Sequence, residues 1–353
     1  MVLALRRFHH FPLFTFLLLS LLSLVPVALA DRGAISLTPG VSIYEPGQKA
    51  IIAWNGEEEI LILSTDVSAS GSTLALEILP LPSNPKAIEK ASFESFVNLQ
   101  SLIWNYASKA LGDHYRGADQ TKSVEVVFHE KIGAHDITVV KAENATELTN
   151  WADQFLRENG ISQGISLQKF GPVIEDYMAR GFRYFVLDLI ALSLEQKSIE
   201  PILYRFETSF LYFPLKISSP VAGDSKITLF LLTPGRIAST VYYPLQIAYY
   251  QSPTHREPIQ FTVTRGKLSL IDLRIGELFE GDAQLTVIAY DGPLSALTKD
   301  LMIAEQAITT SPESGFLYTV LIGVVIGASC TLIGVMITFL IMRTKRSKYV
   351  TSG

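Results

Sequence analysis

The sequence predicts an α+β ectodomain, a mixed or antiparallel sheet with packed helices and a strand-rich C-terminal half, joined to one transmembrane helix. Three observations predict it. Uncharged apolar runs sit near both ends of the 353 residues. Between them, short β-patterned runs alternate with Gly, Pro and Asn turns. Two stretches before residue 160 carry the 3.6-residue period of amphipathic helices, and after residue 200 that period vanishes.

The N-terminal run has Arg6 and Arg7, then apolar residues from Phe11 through Val27, then Ala28-Leu29-Ala30. A basic start, an apolar middle and a small-x-small end form the layout of a secretory signal, so residues 1–30 are expected to be cleaved after Ala30. The competing reading is an uncleaved signal anchor, because the run is nearly long enough to span a bilayer. Pro26 and the Ala-x-Ala end favour cleavage.

The C-terminal run, Phe316 to Met342, is 27 residues without a charge. As a helix it is about 40 Å long, against a hydrocarbon core of ~30 Å, so it spans with tilt. Arg343, Lys345, Arg346 and Lys348 follow at once. Cations hold that end in the cytoplasm, so residues 343–353 form a cytoplasmic basic tail and 31–315 lie outside. Within the span, Gly323 and Gly327 make a small-xxx-small step that favours helix pairing. The expected partners are the lipid bilayer and an envelope protein, or a second copy paired through this helix.

Two of the 29 basic residues fall in the signal and four in the tail, which leaves 23 against 34 acidic residues outside, a net charge of −11. Such a surface is repelled by phosphate backbones, so nucleic-acid binding is not expected. The single cysteine, Cys330, lies in the apolar span. The exported part therefore has no disulfide, thiolate zinc site or cysteine nucleophile.

Ala50–Trp54 and Ile60–Leu63 read as strands around Asn55-Gly56, a strong short-range hairpin signal. Glu57, Glu58 and Glu59 between them read as a solvated turn, since consecutive strand residues alternate faces and cannot converge on one ion. Thr73–Leu79 is a third strand, stopped by three prolines at 80, 82 and 85. A helix is expected from Phe93 to about Leu111, capped by Ser92, with Phe93, Phe96, Val97, Ile103, Trp104 and Ala107 as a broad apolar stripe. Strands follow at Val124–Val127 and Ile137–Val140.

Asn144-Ala145-Thr146-Glu147 opens a helix with a cap-x-x-Glu pattern, and Leu148, Trp151, Ala152, Phe155 and Leu156 form its apolar face. Asn144 also begins an N-glycosylation sequon. A shorter helix runs near Pro172–Arg180, then a long strand over Phe182–Leu192. Asp188 in that apolar strand is read as pointing to solvent at an edge. Tyr204–Phe213, Lys226–Leu232, Ile259–Val263 and Gln284–Ala289 are further strands. Residues 201–303 are thus strand-rich, either a separate sandwich or a continuation of the domain over 31–200, and 304–315 reads as a polar stalk.

The segments Glu45-Pro46-Gly47-Gln48-Lys49 through Trp54, Leu79 through Pro85, Val124 through Val127 and Gly133 through Ile137 carry a resemblance. Trp151, Tyr177-Met178-Ala179-Arg180-Gly181-Phe182 and, more weakly, Pro201 to Thr233 with Phe213-Pro214-Leu215-Lys216 extend it. Over about residues 41–235 the chain resembles the prokaryotic family known as domain of unknown function 2330. The resemblance implies an exported envelope protein and no mechanism. Members often carry cysteines near the mature N-terminus, whereas Asp31 to Ile43 has none.

The polar cluster with the most chemistry is Asp113, His114, His129, Glu130, His135 and Asp136. Imidazole with carboxylate suits zinc binding or general-base work. The spacing matches no metal motif, and solvated histidines beside acids explain it as well. The metal candidates are His114, His129, His135 and Asp136. No nucleophile elbow, P-loop or dinucleotide glycine fingerprint occurs at a strand-to-helix turn, and no cofactor is expected. The expectation is a binding or scaffolding module of the cell envelope. Its alternatives are a metal-assisted hydrolase on the His/Asp cluster and a subunit of a membrane complex assembled through Gly323 and Gly327.

Overall fold

A computed structural model describes residues 35–38, 41, 43–110, 135–158, 161, 167–194, 197–221, 223–238, 242–251 and 256–309. The expected signal, the apolar span with Gly323 and Gly327, the basic tail, the strand at Val124–Val127 and both His114 and His129 lie outside them. Among the described residues no helix is long and apolar enough to cross a membrane. Residues up to Ile308 form one compact unit, and a second begins at Thr309.

The compact unit is mixed α+β. Its strands are β1 (Ile43–Trp54), β2 (Glu58–Ala69), β3 (Thr73–Leu81), β4 (Ala87–Lys90), β5 (His135–Lys141), β6 (Tyr184–Leu192) and β7 (Ile202–Glu207). They continue with β8 (Phe210–Phe213), β9 (Asp224–Thr233), β10 (Gln246–Ile247), β11 (Gln260–Val263), β12 (Ala283–Pro293) and β13 (Leu301–Ala304). The helices are α1 (Phe93–Ala110), α2 (Ala145–Glu158), α3 (Gly171–Ala179), α4 (Arg265–Ile271) and α5 (Leu273–Leu278).

The main sheet follows the order β10–β12–β9–β1–β2–β7–β4, with β11 also on β12 and Lys197–Ser198 on β2. β9 runs parallel to β1 and antiparallel to β12, so a strand from the second half of the chain sits at the centre of the sheet. A second sheet is built from Ile35–Ser36, β3, β6 and β5 in that order, and β8 pairs with β13 as a ribbon.

The main sheet is buried on both faces, which explains why its central strands read as unbroken apolar runs. Ile51, Ala53, Ile60 and Ile62 point to a cluster with Phe96 and Leu99 of α1, Leu268 of α4 and Ile275 of α5. Ala50, Ile52, Trp54, Leu61 and Leu63 point the other way, to the second sheet and to α2 and α3. The period of two along each strand divides one run of residues between two cores.

The Asn55-Gly56 hairpin forms as expected. Gly56 takes φ +112°, and the Asn55 Oδ1 accepts the N–H groups of Glu57 and Glu58 at 2.9 and 2.8 Å. The three glutamates are not all solvated. Glu58 lies on β2, paired with Lys86 and Arg205, and Glu59 is fully buried on the other face. Pro80 does not stop β3, which runs to Leu81. Position 80 stays in register with Phe185 of β6, and its carbonyl accepts the Tyr212 hydroxyl at 3.1 Å.

Four further expectations change. The run Tyr204–Phe213 is two strands, parted where Thr208 Oγ1 donates to the Phe210 carbonyl at 2.7 Å. α4 and α5 are helices that the sequence period missed. They have seven and six residues, too few turns to display one, although Asp272 caps α5 by accepting the Arg274 N–H at 3.0 Å. The stripe of α1 is narrower than expected: Phe96, Leu99 and Ala107 are buried, while Val97 and Trp104 stand out into solvent. Finally, Ala304 to Ile308 belongs to the fold, with Ala307 and Ile308 packed on the core, so the folded unit reaches further into the expected stalk.

Candidate functional site

Two buried polar clusters join charged side chains from distant parts of the chain. The first contains His135, the one candidate metal-ligating histidine among the described residues. On the second sheet, Asp188 of β6 lies between Glu77 of β3 and Ile137 of β5. His135 is two residues from Ile137, so the strand alternation puts it on the same face as Asp188 and Glu77. Its Nδ1 lies 2.7 Å from Asp188 Oδ2, and its Nε2 lies 3.2 Å from the Glu200 carbonyl oxygen. Glu200 in turn pairs with Lys90.

Asp188 is therefore not a solvated edge residue: it is buried beside its histidine. A carbonyl cannot donate, so Nε2 carries a proton and offers no lone pair to a metal. Asp136, next in the chain, faces the opposite way and is exposed. Among the described residues no three His, Cys, Asp or Glu side chains are grouped to hold a metal ion. In this arrangement His135 is a polar tie between β5, β6 and the segment before β7. Asn144 caps α2, its Oδ1 accepting the Glu147 N–H at 2.9 Å. That bond leaves aside Nδ2, the atom to which a glycan attaches.

The second cluster explains two of the sequence segments singled out above. α3 ends at Ala179 with Arg180 as its C-cap, and Gly181, at φ +92°, turns the chain so that the Phe182 N–H returns to the Tyr177 carbonyl at 3.0 Å. The Arg180 guanidinium then lies over the Tyr177 and Phe182 rings, at 4.4 and 5.1 Å from their centroids. It pairs with Asp176 at 3.0 Å and with Asp300 at 2.8 Å. The Asp300 contact is an ion pair rather than an aligned hydrogen bond, since Oδ2 has no partner in good geometry.

The Asp300 side chain is completely buried, and its Oδ1 accepts the Tyr177 hydroxyl at 2.6 Å and the Lys216 N–H at 2.8 Å. The Tyr177 oxygen accepts the Ile217 N–H at 3.1 Å. The Lys216 ammonium reaches Asp176 at 2.8 Å. Burial, with the Asp300 carboxylate beside it, holds the Tyr177 hydroxyl well above its usual range. Burial works against the charge on Asp176, but Lys216 and Arg180 outweigh it and hold the carboxyl below its usual range. Segments 177–182 and 213–216 and the turn before β13 are thus locked by charge-assisted bonds. Asp300 gave no signal in the sequence, because its partners are 84 and 123 residues away.

Outside the core, Val97 and Trp104 are seven residues apart and share one stripe of α1. Trp104 is 55% exposed. Leu270 and Leu273 stand out at the corner between α4 and α5.

The crystal structure of baculovirus P35 is similar over 77% of this chain and 98% of that one, with a TM-score of 0.42 and 10% identity. A caspase-8/P35 complex gives 0.35 and 9% identity over 73% of this chain and 96% of that one. No curated protein matches the sequence. The profile of DUF2330, described as an uncharacterized protein conserved in bacteria, matches residues 26–278. That match covers well over half of the chain, including both hairpin strands and the Tyr177–Phe182 turn, and so the chain belongs to the DUF2330 family.

Proposed function

We propose that this is a single-pass membrane protein whose folded part lies outside the cytoplasm and serves as a binding or scaffolding module of the cell envelope. The observation that carries the reading is the uncharged run Phe316–Met342 with Arg343, Lys345, Arg346 and Lys348 directly after it. The signal-like start of the chain supports the same topology independently. Gly323 and Gly327 supply a face for pairing with a second copy or with the helix of another subunit.

Binding is favoured over catalysis by how the polar groups are used. His135, Asp188, Arg180 and Asp300 spend their bonds on one another and on backbone groups. Two large apolar side chains, Val97 and Trp104, are offered to solvent along α1. Tryptophan is enriched where protein surfaces meet, and an exposed one on a rigid helix is a ready anchor. A photo-crosslinking amino acid placed at position 104 in intact cells is the test. It is expected to trap one discrete adduct, and a Val97→Glu change in the same chain is expected to reduce that adduct several-fold. A chain that stays free of adducts in its own membrane contradicts the binding role.

A further inference from the structure

We propose that the Glu59 carboxyl is a proton-dependent latch that joins the main sheet to the β8–β13 ribbon. Glu59 sits on β2 between Trp54 of β1 and Phe206 of β7, with no exposure to solvent. Its Oε2 accepts the Tyr212 N–H at 2.7 Å, and its Oε1 has no partner among the described residues. Tyr212 is the residue of β8 that faces Met302 of β13. Its hydroxyl donates to the Pro80 carbonyl of β3 at 3.1 Å. One side-chain oxygen in the core of the main sheet thus holds the backbone of the ribbon, and through Tyr212 the ribbon also touches the second sheet.

The contact suits a neutral acid and not a carboxylate. A neutral carboxyl accepts the N–H on one oxygen and leaves only the hydroxyl on the other unpaired, the cost of one buried neutral donor. An ionised one would bury a charge with a single donor. Tyr212 on β8, Tyr177 and Arg180 at the end of α3, and Asp300 ahead of β13 are the titratable and charged groups on the neighbouring elements. Arg180 and Asp300 pair with each other, and among the described residues only the Tyr212 backbone N–H bonds to Glu59. Glu58 and Arg205 pair on the opposite face of the sheet. Burial accordingly pushes the Glu59 carboxyl well above its usual range, and the Tyr212 N–H offsets only part of that.

The sign follows. The folded chain keeps this proton over a range in which the unfolded chain, with an ordinary glutamate, has released it. Stability is therefore greatest below the unfolded value of 4.5 and falls as pH rises toward the folded value. Glu58, Asp176 and Asp272 are all held below their usual range, so their contribution is lost on acidification and does not mask this window. The relief open to an ionised Glu59 is to turn toward water, which releases the Tyr212 N–H and lets the ribbon lift. The latch depends on the compact unit alone and holds whether or not the later residues span a bilayer.

Thermal unfolding of the detergent-solubilised full chain, wild type and Glu59→Gln, at pH values from about 5 to about 9 tests the proposal. The wild-type midpoint is expected to fall by about 4 °C or more as pH rises, and the glutamine variant to follow a flat line across the same range. Equal slopes overturn the latch. Should the variant fail to fold, amide exchange in the wild type decides. After correction for intrinsic pH dependence, β8 and β13 must lose protection relative to β1 and β2 as pH rises, and a uniform change overturns it.

Discussion

Replacing Asp300 with alanine is expected to destabilise the fold by about 3–5 kcal/mol, the range found when one partner of a buried charge network is removed. Three groups lose their acceptor at once. The Tyr177 hydroxyl and the Lys216 N–H are left facing a void, and Arg180 keeps one carboxylate, the partly exposed Asp176. An Asp300→Asn chain keeps an oxygen for the Tyr177 hydroxyl and the Lys216 N–H but no charge for Arg180. It is expected to lose roughly half as much, because hydrogen bonds to a charged acceptor are about twice as strong as neutral ones. Urea unfolding of the three proteins at neutral pH checks the order. A loss below about 1 kcal/mol for the alanine variant, the scale of exposed ion pairs, would contradict the burial described for this cluster.

The His135→Ala chain is expected to lose about 3 kcal/mol, and the reason lies in Asp188. Its Oδ1 has no partner among the described residues, so Oδ2 and the imidazole carry the whole compensation for its burial. Without His135 a carboxylate is left in the core next to Glu77, with which it is paired across the strands. Adding Asp188→Asn to the same chain removes that charge and is expected to recover about half of the loss, since the stranded charge is the larger part of the penalty. If His135 instead served a metal, the single variant would gain or keep stability, and zinc would raise the melting temperature of the wild type alone. Urea titration of the two variants, with and without zinc, separates the outcomes.

Local chemistry was legible in the sequence and long-range convergence was not. Asn55-Gly56 could be read because a two-residue turn states its own backbone angles, and Gly56 does take a positive φ. Asn144 could be read because a cap needs only the next three residues. The central strands announced themselves by apolar runs, since both faces of the main sheet are covered. Glu59 was read as part of a polar turn because its neighbours Glu57 and Glu58 are polar. Its burial depends on β8, which reaches it from 153 residues away.

Asp188 failed for a related reason. A lone acid in an apolar strand is usually at an edge, and only the arrival of His135 on the neighbouring strand makes burial tolerable. The Tyr177–Phe182 segment stood out as a motif, but its purpose was hidden until Asp300 and Lys216 closed on it. Helices α4 and α5 stayed invisible because fewer than two turns each cannot show a stripe. Trp104 was placed in the packed face of α1 because it recurs at helical spacing with Phe93, Val97 and Ala107, but a stripe that broad runs past the face that is buried.

The reading of this DUF2330 protein as an anchored envelope module is tested most directly by one topology measurement. Single cysteines are introduced at exposed Ser101, in α1, and at Ser347, beyond the apolar run, in a Cys330→Ala background. Intact cells, stripped of any outer barrier, are then treated with a membrane-impermeant maleimide. The account predicts that position 101 labels before lysis, that position 347 labels only after it, and that both stay with the membrane through an alkaline carbonate wash. Labelling of position 347 in sealed cells, or release of the chain by carbonate, would contradict it.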